Sequence, residues 1–204
     1  MTVAVDAPPA ARHRAARVVT EVLAPPCLGA LTLLLLGWHA TGTDGLVDGA
    51  LAALFVTGIP YVVVIVGVLA GRWNDRMLTA RRQRIVPILS NTTFAVVGLV
   101  VALVTGAPAA IAAFIVAAIG TQALLFVVNL GWKISFHAGV SAGIVLILAQ
   151  EFGLVLVPLL APLVVLISWA RVELREHTAA QVAVGAPVGG LALAGLYHVA
   201  LVIP

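Results

Sequence analysis

Long apolar runs, cut at intervals by charge, proline or glycine, organise this chain from end to end. Runs of about 20 apolar residues match what an α-helix needs to cross a bilayer. The breaker residues set where each run stops. The pattern predicts helical spans over residues 18–39, 49–71, 85–105, 109–130, 137–152, 154–170 and 178–202. That is seven spans, or six if one short segment is re-entrant. Pro25 and Pro26 fall near the start of the first, and Pro60 is expected to kink the second. "GAP" at 106–108 reads as a tight turn, and Gly153 permits another.

Composition agrees with the pattern. The 204 residues are 62% hydrophobic and 9% charged, against about 25% charged in soluble domains. A chain of this length cannot enclose so much apolar surface and still present a polar exterior, so the missing solvent is lipid. The expected fold is an all-α polytopic membrane bundle, with residues 18–204 as one transmembrane domain behind a basic tail at 1–17. The tail has mixed, basic character and is not expected to be a cleavable signal. The single cysteine, Cys27, excludes an internal disulfide.

Placed on this map, the charges segregate. All 11 lysines and arginines lie in the tail or in breaks on one predicted side: 72–84, 131–137 and 171–177. Trp73, Trp132 and Trp169 sit at the same level, while Asp44, Asp48 and Glu151 mark the opposite side. Positive charge in short loops and an aromatic belt identify the cytoplasmic interface, so the N-terminus and the three breaks are expected there. Basic charge confined to one membrane face makes nucleic acid an unexpected partner.

The three breaks can converge, and together they offer arginines, a lysine and two histidines. Guanidinium groups bind phosphate oxygens in pairs, and helix starts present backbone N–H groups that also suit an anion. His137 and His177 both fall at predicted helix starts. The combination reads as an anion pocket at the lipid–water boundary, fitted to a lipid with a phosphate or diphosphate head.

"ARVELREHTAAQ" supplies Arg171, five residues, His177, three residues and Gln181; "ISFH" supplies Ser135 and His137; "RQRIVP" supplies Arg84 with Pro87 displaced. In order and side, these resemble the three motifs of the type 2 phosphatidic acid phosphatase family: K-x6-R-P, P-S-G-H and S-R-x5-H-x3-D. The resemblance runs over about residues 72–190. It implies a metal-independent phosphatase that works through a phosphohistidine and needs no cofactor. His177 would attack phosphorus and His137 would protonate the leaving oxygen. Arg84 and Arg171, with Lys133 and Ser135, would hold the phosphoryl oxygens. Besides the displaced Pro87, departures from the family include Ile134 and Phe136, which replace the proline and glycine of the second motif, Gln181, which replaces an aspartate, and Met77, which replaces a lysine. Gln181 can still reach His177 from i+4 and fix its tautomer, but it brings no charge. Glu173, Glu176 or Asp75 would have to supply one, and Arg76 or Lys133 would stand in for the lysine.

Other polar residues have structural readings. Asn91, Gln122 and Asn129 lie within spans, where interhelical hydrogen bonds are expected. "GVSAG" at 139–143 and "GAPVG" at 185–189 would let the helices carrying the two histidines approach closely. No carboxylate pair at Mg²⁺-binding spacing is visible, which argues against a membrane prenyltransferase, and no metal is expected. The expected activity is hydrolysis of a lipid phosphate, with isoprenoid diphosphates and phosphatidate-type lipids both fitting. The alternative is a family member disarmed by Gln181 and Met77 that binds anionic lipid without hydrolysing it.

Overall fold

The computed structural model describes residues 10–72 and 85–203, and these form an all-helical bundle without a strand among them. The helices are α1 (Ala10–Val22), α2 (Pro25–Thr41), α3 (Thr43–Leu69), α4 (Ile85–Thr105), α5 (Ala109–Gly131), α6 (Phe136–Phe152), α7 (Leu156–Glu173) and α8 (Ala179–Val202). Five of them, α3, α4, α5, α7 and α8, are long and apolar enough to cross a membrane. The bent pair α1–α2 makes a sixth candidate span. α6 has 17 residues, the lower limit for a span. Large apolar side chains point outward along these helices, among them Leu69, Leu103, Val104 and Val165. The chain is a membrane-spanning protein.

The first span differs from expectation. The tail drawn at 1–17 is helical from Ala10, so Arg12, Arg14 and Arg17 lie on α1. The break comes at Leu23–Ala24, and α1 is bent 41° from α2. Its cause is Pro25–Pro26: the residue before a proline is pushed out of the helical region, and Ala24 is extended with φ −63° and ψ 148°. α3 starts six residues before the predicted 49, which takes Asp44 and Asp48 into its first turns. Within it the expected disturbance at Pro60 takes the form of a π-helical turn over Leu54–Gly58. Proline has no N–H, and its ring crowds the carbonyl four residues back; a widened turn relieves both. Thr57 Oγ1 donates to the carbonyl of Ala53 at 2.8 Å there.

Two observations position the site. First, α6 and α8 pack closely through facing glycines. A Cβ on Gly189 would sit 2.5 Å from Gly139 Cα, and one on Gly185 would sit 2.9 Å from the carbonyl oxygen of Ser135. Second, two of the polar breaks, 131–137 and 171–177, meet at one end. Lys133 Nζ donates to the carbonyl of Glu176, which ties the α5–α6 break to the α7–α8 break. Arg12 pairs with Glu173 at 2.8 Å and lies over the Trp169 ring, 5.8 Å from its centroid, so the end of α7 also holds α1. At the other end of α6, Tyr197 Oη donates to Glu151 at 2.7 Å.

Candidate functional site

The end of α7 explains the R-x5-H spacing. Arg175 N donates to Val172 O at 2.9 Å and Glu176 N to Arg171 O at 3.1 Å, the paired bonds of a Schellman motif. Arg175 stands in its left-handed position with φ 55°, where glycine is usual. His177 N also donates to Arg171 O at 3.1 Å. The spacing therefore folds His177 back onto the residue whose guanidinium begins the motif. The same reversal brings the Glu176 carboxylate onto Arg171 as an ion pair. Arg171 is 4% exposed, so this is a charge held almost out of water.

α8 then starts with a capping box. Thr178 Oγ1 accepts from Gln181 N at 3.3 Å, and Gln181 Oε1 accepts from Thr178 N at 3.1 Å. His177 Nδ1 lies 3.3 Å from that same Oε1. A backbone N–H can only donate, so the Gln181 atom facing it is the carbonyl oxygen. Nδ1 must then be the donor to the same oxygen, and in neutral His177 the lone pair is left on Nε2. Gln181 is thus both a helix cap and the group that orients the imidazole.

The second wall is the start of α6. Ser135, fully buried, is its N-cap; Oγ accepts from Ala138 N at 3.4 Å, and Ser135 N donates to Gln181 O at 3.4 Å. The hydroxyl expected on phosphate is thus engaged in capping. His137, in the first turn of α6, follows Ser135 by two residues and so starts beside the Gln181 carbonyl that Ser135 N bonds. Its Nε2 is buried and meets no hydrogen-bond partner among the described residues.

Of the residues expected to form the site, His137, His177, Gln181, Arg171, Lys133 and Ser135 come together. Arg84 and Arg76, with Met77 and Asp75, lie outside the described residues. Of the acids expected to help His177, Glu173 is on Arg12 and Glu176 is on Arg171. Two features were not anticipated. Thr178 caps α8, and the T-x-x-Q pattern that announces it is visible in the chain. The left-handed turn at Arg175 carries no glycine to mark it.

His137 also lines a cavity of about 220 Å³ with Tyr61, Pro87, Asn91 and Gln122. It shares Pro25, Pro26, Thr57, Asn91 and Gln122 with a deeper apolar cavity of about 170 Å³ that reaches Phe114 and Leu193. Asn91 Nδ2 donates to Gln122 Oε1 at 2.6 Å and Gln122 Nε2 to Thr92 Oγ1 at 2.7 Å, the expected link between spans. Asn129, expected to make a similar bond, has a buried Oδ1 with no partner among the described residues. No group of three or more histidine, cysteine or acidic side chains able to hold a metal occurs among the described residues. No protein-family model, curated protein or solved structure matches the chain.

Proposed function

We propose that the protein is a membrane-embedded phosphatase that removes phosphate from a lipid phosphate or diphosphate through a phosphohistidine. The observation that carries this reading is the junction of the two histidine-bearing helix starts: Ser135 N, two residues before His137, bonds the carbonyl of Gln181, whose side chain holds His177, and His177 N bonds the carbonyl of the buried Arg171, although 40 residues separate the two histidines in sequence. In the proposed reaction, His177 Nε2 attacks the terminal phosphorus as its bond to the leaving oxygen breaks (the lipid oxygen of a monophosphate, the bridging oxygen of a diphosphate), and His137 gives that oxygen its proton. Water then attacks the phosphorus of the phosphohistidine. His137 accepts the water proton, the P–N bond breaks, and inorganic phosphate leaves with His177 restored. Splitting one displacement into two lowers each barrier. Arg171 and Lys133 would stabilise the charge spread over the phosphoryl oxygens in a poorly hydrated site. The cavities beside His137 have the apolar walls that a lipid tail needs.

Isoprenoid and phosphatidate-type chains both suit such walls. The reading further puts the site and the N-terminus on the cytoplasmic side, because the arginines of α1 share that end. One observation favours a second reading, a lipid-phosphate binder without turnover: the group on His177 Nδ1 is an uncharged amide already engaged as a cap.

Phosphate release from a panel of lipid phosphates and diphosphates in EDTA separates the two. A phosphatase releases phosphate with the chelator present and stops in His177→Ala. A binder releases none in either form.

A further inference from the structure

We infer that Glu176 is a built-in counter-anion: it occupies the Arg171 guanidinium until a phosphoryl dianion displaces it, and so keeps singly charged phospholipid heads out of the site. This rests on the phosphate-handling reading above and adds a selectivity device to it.

The contact follows from local folding. In a Schellman motif the residue two beyond the helix cap comes to lie against the residue three before it, and an apolar pair usually fills that contact. Here the two positions are Glu176 and Arg171, and an ion pair replaces the apolar one. The chain holds the reversal firmly. Arg175 accepts a left-handed backbone, and Lys133 Nζ grips the Glu176 carbonyl. The carboxylate is therefore delivered to the guanidinium that the proposed reaction needs for phosphate.

Electrostatics gives the contact a purpose. A guanidinium this buried is costly to leave without an anion, so the empty site needs one of its own. The Glu176 side chain is 21% exposed against 5% for Arg171, so the acid is the partner with room to swing out. Any incoming anion has to outcompete it. A phosphate monoester or terminal diphosphate brings two charges and several oxygens that can bind the guanidinium in pairs. A phosphodiester head brings one charge, no more than the carboxylate it must replace. A site at a lipid surface is surrounded by such diesters, and a resident carboxylate sets the threshold they fail to pass.

The test is binding of inorganic phosphate to the full-length protein in detergent micelles, by calorimetry, for wild type and Glu176→Gln. Glutamine keeps the size and removes the charge. The expected result is phosphate binding about tenfold tighter in Glu176→Gln, a gain the size of one charge-assisted contact. Phosphatidylglycerol added to the micelles should compete with phosphate in the variant and not in wild type. Glu176→Asp, which shortens the acid by one methylene, should shift both readouts in the same direction by less; it serves if the glutamine variant melts early. Equal or weaker phosphate binding in the variants, with no new competition by phosphatidylglycerol, reduces Glu176 to a helix-end ion pair and leaves the phosphate site standing. Absence of phosphate binding in every form overturns the phosphate reading itself.

Discussion

A single oxygen, Oε1 of Gln181, lies 3.1 Å from the backbone N of Thr178 and 3.3 Å from Nδ1 of His177, so the cap of α8 and the orientation of the imidazole are one device. Replacing Gln181 by alanine removes its half of the capping box and the partner of the ring, while Thr178 Oγ1 keeps the backbone N–H of residue 181. The lost hydrogen bond is worth about 1 kcal/mol, and loss of a ring-orienting partner is expected to cost tenfold or more in kcat. Gln181→Glu should retain the cap and add a charge beside Nδ1, raising kcat several-fold as the imidazole becomes a better nucleophile. Steady-state kinetics and melting temperatures of the two variants check this; equal kcat in all three proteins would remove Gln181 from the mechanism.

The glycine contact between α6 and α8 predicts a stability effect with an internal control. Gly189→Ala sets a Cβ 2.5 Å from Gly139 Cα, backbone against backbone, where no side chain can yield. The helices must separate, at a cost of about 1–3 kcal/mol, and the two histidines with them. Gly195→Ala, on the same helix with nothing within 4 Å of the added Cβ, should be neutral or slightly stabilising. Thermal unfolding in detergent distinguishes them. Matching melting temperatures for the two variants would contradict the close approach.

Much of this architecture was readable in the chain because lipid leaves few options. Apolar runs must be helices, and their ends must be charged or broken. The predicted ends of α4 to α8 fall within three residues of those observed. The misplaced ends have local causes: α1 is amphipathic, so its arginines hid a helix that an apolar pattern does not mark, and Asp44 and Asp48 disguised the first turns of α3. The site was half legible. R-x5-H carried His177 and Arg171, and S-x-H carried His137. The ion pair between Arg171 and Glu176 was hidden, because it depends on a left-handed turn at a non-glycine residue.

α1 is tethered to the end of α7 by Arg12, which reaches both Glu173 and Trp169. The arginine is largely exposed, so the pair is expected to contribute less than about 1 kcal/mol to global stability. Its loss should appear locally. In Arg12→Ala, amide exchange is expected to speed up in α1 while α7 and α8 keep their protection. Unchanged exchange in α1 would mean that the burial of Ala16 and Thr20 holds the helix alone.

The proposed orientation makes a labelling prediction. Arg175 is exposed at the site end and Asp44 is exposed near the start of α3. In a Cys27→Ser background, Arg175→Cys should react with a membrane-impermeant maleimide in inside-out vesicles and not in intact cells. Asp44→Cys should show the reverse. The opposite pattern would put the histidines on the outer face and direct the search toward lipid phosphates presented there.

The most direct test of the central claim is capture of the covalent intermediate. Protein mixed with a ³²P-labelled lipid phosphate and quenched within milliseconds should carry label that survives alkali and is lost in acid, as a phosphohistidine does, and that maps to His177. The label should be absent in His177→Ala. Phosphate release without any such adduct, or an adduct that persists in His177→Ala, would contradict the account.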